Sequence, residues 1–241
     1  KSMAFTDHNG VYAIPDVWHT IEKNPDFKPI YGVELSYVDD TNYFITFDSR
    51  DIDLKQASYV VYDIETTGFS QTYDRIIEIA ACKVYQGGII ETFERFVNPE
   101  RPISEKITAL TTITDEMVMD APTIKEVLPE FMDFCKGSIL VAHNAKFDVG
   151  FIYANIKRLN LNYEMLPAID TLNLFRAGYY KDVKKFNLKV LAKYFKVKQE
   201  QHHRAIDDTR VTALCFIGML NDLYNKGITN YKDINSIINP D

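Results

Sequence analysis

The chain has 241 residues, 46% of them hydrophobic and 13% aromatic, with a formal net charge of −7. That length allows one large domain or one and a half, and the composition suffices for a buried core. No apolar run reaches the roughly 18 residues that a membrane span needs, and no basic–apolar–small leader opens the chain, so no membrane association is expected. Cys82, Cys135 and Cys215 lie far apart in apolar surroundings without metal-ligand spacing. That predicts buried thiols in a reducing cytoplasm.

Residues 1–57 read as a unit of their own. The opening Lys1-Ser2-Met3-Ala4-Phe5 has the look of mid-strand, as expected for a piece of a longer polypeptide. Phe5-Thr6-Asp7-His8 and the later run Lys28-Pro29-Ile30-Tyr31-Gly32-Val33-Glu34 bring an acid, a histidine and a second acid close to apolar residues. Asp7 also suits a helix N-cap or a turn. A boundary is placed near Ala57.

From Ser58 the pattern changes. Ser58–Glu65 is rich in β-branched and aromatic residues and stops at Thr66-Thr67-Gly68, which predicts a strand entering a turn. Strands are also predicted over 75–85 and 89–97, joined by Gln86-Gly87-Gly88 into an antiparallel meander. Asn98-Pro99 and Arg101-Pro102 break it before a helix from about Ser104. A further helix opens at Pro122 and stops at Gly137, with Ile124, Val127, Leu128, Phe131, Phe134 and Cys135 as its apolar face. A short strand from Ile139 follows, then a helix from Lys146, a short segment Ile169–Gly178, a helix Leu188–Phe195 and a long helix to about Tyr224. Residues 226–241 read as a tail or linker. Antiparallel strands followed by alternating strands and helices predict an α/β fold with a mixed sheet flanked by helices.

Three blocks carry the chemistry. Asp63 and Glu65 are two apart on a strand, so they share a face at about 6–7 Å separation, while Ile64 points into the core. An Asp-x-Glu pair also occurs on solvated strand faces. Asp148, in His143-Asn144-Ala145-Lys146-Phe147-Asp148, falls in a first helical turn; there an acid offsets the helix dipole and can equally be a ligand. His143 is read as a polar turn residue. In His203-Arg204-Ala205-Ile206-Asp207-Asp208-Thr209, His203 stands five residues before Asp208, on the loop entering the last helix. A histidine titrates near neutrality and is a usual general base. His202 stands in the same relation to Asp207, so spacing alone leaves two registers open.

In this order the blocks resemble the three motifs of the DEDDh 3′→5′ exonuclease family, over roughly Ser58 to Tyr224. Cutting a phosphodiester without a covalent intermediate needs an activated water and something to hold charge on the leaving 3′ oxygen. Two divalent ions roughly 3.5–4 Å apart do both, and they require hard oxygen ligands. The resemblance implies a ribonuclease H-like fold, two Mg²⁺ or Mn²⁺ held by Asp63, Glu65, Asp148 and Asp208, and His203 taking the proton of the attacking water. The family's third motif fits only His203, Ala205, Asp208 and Thr209, which leaves His202 and Asp207 as solvent-side neighbours. Thr66 and Thr67 would contact the terminal nucleotide, with Asn144 as a further substrate contact. Phe69 would stack on the last base or belong to the core.

The leading residues resemble part of a polymerase-and-histidinol-phosphatase (PHP) domain, in which Asp7, His8 and Glu34 would form part of a metal cluster. A PHP fragment followed by a DEDDh exonuclease is the order found in PolC-type bacterial DNA polymerase III. The implied function is proofreading: release of nucleoside 5′-monophosphates from a single-stranded or frayed DNA 3′ end. The implied partners are the rest of the polymerase chain and the replisome. An exoribonuclease with the same site and a non-catalytic scaffold are the alternatives. Between Arg176 and Arg210, ten basic residues face four acidic ones. That stretch is either a guide for a phosphate backbone or a solvated lysine face.

Overall fold

The structure, a computed structural model, describes residues 2–8, 12–24, 26–34, 45–179, 181, 183–198 and 205–237. It divides into two compact units, Lys1–Tyr43 and Phe44–Asp241. In the first, strand β1 (Ser2–His8) and strand β2 (Lys28–Glu34) pair in parallel, Ser2 opposite Lys28 and His8 opposite Glu34. A parallel pair needs a crossover, and helix α1 (Ile14–Ile21) supplies it. Pro15 sits in its first turn, where the missing N–H costs nothing, and its Val17 is buried.

The second unit is built on five strands in the order β5-β4-β3-β6-β7. Strands β3 (Ser58–Thr66), β4 (Ile76–Tyr85) and β5 (Gly88–Phe96) form the expected meander, each antiparallel to the next. Gln86 and Gly87 close its second hairpin with φ of 50° and 77°, the left-handed geometry that a tight hairpin loop demands. Strands β6 (Ser138–Ala142) and β7 (Ala168–Asp170) extend the sheet in parallel on the other side of β3. The α/β fold with a mixed sheet is therefore as expected.

Helices cover both faces, and the period-2 alternation of β3 assigns them. Tyr59 and Val61 pack in one cluster with Phe216 and Met219 of helix α8 (Ala205–Asn225). Val60, Tyr62 and Ile64 pack in another with helices α4 (Ile124–Cys135) and α5 (Ala145–Arg158). Asp63 and Glu65 thus share the face that α8 covers. Helix α4 opens on a capping box of Thr123 and Glu126 and ends before Gly137 at φ 73°, the conformation glycine tolerates best. Helices α2 (Glu105–Thr111), α6 (Thr171–Tyr179) and α7 (Leu188–Tyr194) fall near their expected places, while the one-turn α3 (Asp115–Val118) was not anticipated. Among the described residues, no helix is long and apolar enough to cross a membrane. The three cysteines are buried and unbridged.

Two boundaries differ from the sequence expectation. The compact unit starts at Phe44 rather than after Ala57, because Ile45 and Leu54 are buried in its core. Residues 226–237 are not a linker. Tyr231 and Ile234 of a 3₁₀ turn (Tyr231–Ile237) belong to the same core, and the Tyr231 hydroxyl both receives the Ala168 N–H and donates to its carbonyl, at 3.0 Å each. Short helical turns without full amphipathic periodicity leave no clear signal in a sequence.

Candidate active site

The parallel strands β3, β6 and β7 all point their carboxyl ends at one edge of the sheet, the place where open α/β sheets bind ligands. Asp63 and Glu65 stand at the end of β3, Glu65 just before a bulge at Thr66. From β6 the chain turns through Asn144, at φ 76°, into α5, which carries Asp148 in its first turn with 3% exposure. Asp208 lies in the first turn of α8. Four acids from three elements therefore converge.

Their electrostatics show the convergence. Burial, then the charges of Asp148, Glu65 and Asp208, drive the Asp63 carboxyl well above the usual carboxylate range. Glu65 is pushed up to about 7 by burial and the charges of Glu78 and Asp208. Burial likewise raises Asp148, while the backbone amides of Asp148 and Ile64 pull it down. Such a cluster is unstable as bare anions and calls for cations.

Two further acids belong to this environment and were not singled out from the sequence. Glu78 lies directly across from Glu65 on β4 and is 1% exposed. Its signal was a lone acid in the apolar run Ile76-Ile77-Glu78-Ile79. Asp170, at the end of β7, accepts the backbone N–H groups of Leu172 at 2.9 Å and Asn144 at 3.2 Å, tying the β6–α5 turn to the next strand. Burial raises its carboxyl despite these bonds. His143 occupies a structural position: Nε2 lies 3.0 Å from the Phe186 carbonyl and Nδ1 3.1 Å from the Thr171 hydroxyl. Burial lowers its pKa to about 4.

The turn after β3 is tightly organised. Asp74 accepts the Ser70 N–H at 2.8 Å and the Thr67 hydroxyl at 3.3 Å, and a Cβ on Gly68 would meet its carboxylate at 2.5 Å. The Thr66 hydroxyl donates to the Gly68 carbonyl at 2.6 Å. Phe69 is 80% exposed, with its edge to Phe147 at 6.3 Å between centroids. It is not core. Asn144 is exposed at the start of α5. His202 and His203 lie outside the described residues, as do the side chains of Asp7, His8 and Glu34; the backbones of these last three sit at the paired ends of β1 and β2.

Exonucleases of this kind work with divalent metal ions. Among the described residues, no group of three or more His, Cys, Asp or Glu side chains is arranged as an ion's ligand set. The donor chemistry nevertheless fits. The acids offer hard oxygens, and Asp148 Oδ1 is buried with no hydrogen-bond partner among the described residues. Nearby cations would satisfy that oxygen and relieve the repulsion.

Comparison with known proteins agrees with this geometry. The chain is 50% identical over 235 residues to "DNA polymerase III PolC-type" of Staphylococcus haemolyticus, and 47% identical over 234 residues to that of Staphylococcus aureus. These matches take in 98% and 97% of the chain but only 16% of each relative. Among solved structures, Exonuclease X in complex with 5′ overhanging duplex DNA superposes with a TM-score of 0.57 at 31% identity, over 75% of this chain and 99% of that one. E. coli Exonuclease I in complex with a dT13 oligonucleotide shares the fold, with a TM-score of 0.63 at 16% identity over 71% of this chain and 43% of that one. A family model described as Exonuclease (RNase_T) matches residues 60–216. Together with the strand-and-helix frame that gathers the acids, that match makes the chain a member of the exonuclease family.

Proposed function

We propose that the unit from Phe44 is a DEDDh 3′→5′ exonuclease that removes nucleoside 5′-monophosphates from a DNA 3′ end, as the proofreading part of a PolC-type polymerase. The carrying observation is the meeting of Asp63, Glu65, Asp148 and Asp208, the last three of which each raise the Asp63 carboxyl by their charge. These four would hold two Mg²⁺ or Mn²⁺, which when bound supply water activation and charge stabilisation on the leaving oxygen. His203, five residues before Asp208, takes the proton of the attacking water. The Thr66–Gly68 backbone and Asn144 flank the terminal nucleotide, and the exposed ring of Phe69 stacks on its base or wedges beside it. The leading unit is read as a PHP fragment, supported by matches to PolC-type relatives that run through both units. Asp7, His8 and Glu34 would be part of its metal set.

The test is nucleotide release from a 3′-labelled strand with Mg²⁺, DNA and RNA side by side. Release of 5′-monophosphates from DNA, faster at a mismatched end, is expected. Preferential cutting of RNA would replace proofreading by an exoribonuclease reading, and no release from either would leave a binding scaffold.

A further inference from the structure

The turn beside the acids carries charge of the opposite sign. Arg158, in the last turn of α5, donates through Nη2 to the carbonyls of Gln71 at 3.0 Å and Thr72 at 3.1 Å, and through Nη1 to Asn155 Oδ1 at 3.0 Å. Arg75 Nη1 donates to the carbonyls of Tyr73 at 3.1 Å and Asp74 at 3.0 Å. Arg101, from the loop after β5, reaches the same Tyr73 carbonyl at 2.8 Å. Three guanidiniums from three parts of the chain thus converge on four consecutive carbonyls. Among the described residues none of them forms an ion pair with a carboxylate. Partial burial, then the charges of Arg75 and Arg101, hold Arg158 below the ordinary guanidinium range. Like charges gathered in this way favour an anion between them.

Two exposed rings interleave with the arginines: Phe69 and Tyr73, the latter 75% exposed. Basic groups alternating with exposed rings follow a single strand, the cations on its phosphates and the rings on its bases. The patch is also placed along a path. A Cβ on Gly150 would meet the Gln71 side chain at 2.0 Å, so the turn lies against α5 between Asp148 and Arg158. That separation of ten positions spans about 15 Å of helix.

We propose that residues 69–75, with Arg101 and Arg158, form the entry track for the substrate strand. Arg75, Arg101 and Arg158 bind phosphates internal to the scissile bond, and Tyr73 stacks on an internal base beyond the one that Phe69 meets. This rests on the exonuclease reading above and adds to it a preference for strands longer than a dinucleotide.

Two measurements test it. The first is kcat/KM with Mg²⁺ for a deoxythymidine decamer and dinucleotide. The second is the dissociation constant of a dye-labelled decamer in EDTA between 50 and 200 mM salt. The original chain should prefer the decamer at least tenfold, through KM. In the triple variant R75Q/R101Q/R158Q that preference should collapse, and the slope of log K against log salt should fall by about 2, from roughly 0.7 per phosphate contact. The triple variant R75K/R101K/R158K keeps the charge but loses the forked bonds to the turn, and it should retain most of the slope. An unchanged slope in the Gln variant would overturn the track. So would equal losses in the Gln and Lys variants, which would make the arginines mere braces of the turn. If the original chain cuts DNA with no preference for the decamer, only the track fails; if it cuts neither strand, the exonuclease reading fails with it.

Discussion

Acids this close impose a pH dependence that opposes the usual behaviour of carboxylates. Glu65 has a folded pKa of about 7 against an ordinary 4.5. Raised in this way, it leaves the fold at full stability below about pH 4.5 and erodes it as pH rises through 7. For Glu65 alone the loss is roughly 3 kcal/mol. Melting curves in EDTA should therefore fall across that window, and Mg²⁺ should restore stability at pH 8 by binding the folded form. Asp63→Asn should raise the EDTA melting temperature at pH 8 while abolishing turnover. An Asp63→Asn chain that cuts DNA at near-normal rate would remove the metal role of the cluster. His203→Ala should lose about 10²–10⁴ in kcat, whereas His202→Ala should barely change it; the reverse result would shift the register by one and bring in Asp207. Strand period and helix start made legible where the clustered acids point, while a shared metal role for them was implied only by the motif resemblance. Glu78 and Asp170 were not legible, since their importance lies in partners across the sheet, Glu65 and the Asn144 turn, that only strand register reveals.

At the level of elements, strands β3 to β6 were readable because runs of β-branched, aromatic and apolar residues end at turn residues. Helix α3 and the short β7 were missed or merged, being too short to show a period. The turn between β3 and β4 carries the proposed substrate contacts. Thr67 and Asp74 close it: the Thr67 hydroxyl receives the Arg75 N–H at 3.0 Å, and the Thr67 N–H donates to the Arg75 carbonyl at 2.8 Å. Gly68 lets the Asp74 carboxylate approach, so Gly68→Ala should push Asp74 off its partners at about 1–3 kcal/mol. The core lies elsewhere, so the chain should still fold, with a modestly lower melting temperature. Activity should fall at least tenfold, mainly in KM, because Phe69 and its neighbours lose their position. Unaltered KM would show that this turn does not contact substrate.

At the scale of the whole molecule, the division into units decides what can be removed. A sequence boundary near Ala57 would make residues 1–57 dispensable for nuclease chemistry. The structure places the division at Phe44 instead. Residues 45–57 contribute more than the buried apolar side chains of Ile45 and Leu54. The Ile45 and Thr46 amides donate to Asn235 Oδ1 at 2.8 and 3.1 Å, the Asp170 N–H donates to the Ile45 carbonyl at 2.7 Å, and the Tyr59 hydroxyl donates to the Leu54 carbonyl. The segment thereby ties the 3₁₀ turn and the acid-bearing end of β7 to the core. A composition-based boundary cannot see this, because the short apolar run around Ile45 is cut off from Ser58 by the polar stretch Asp48-Ser49-Arg50-Asp51 and becomes core only through partners nearly the whole chain away. A chain starting at Phe44 should fold and keep full cleavage of a 3′-labelled strand. One starting at Lys55 loses the buried apolar side chains of Ile45 and Leu54, at about 2–5 kcal/mol each, and leaves the Asn235 side chain and Asp170 N–H without these partners. It should melt at least 10 °C lower or fail to fold, with turnover lost in proportion. Equal stability and activity in the two truncated chains would return the boundary to Ala57 and reduce residues 45–57 to a surface strap.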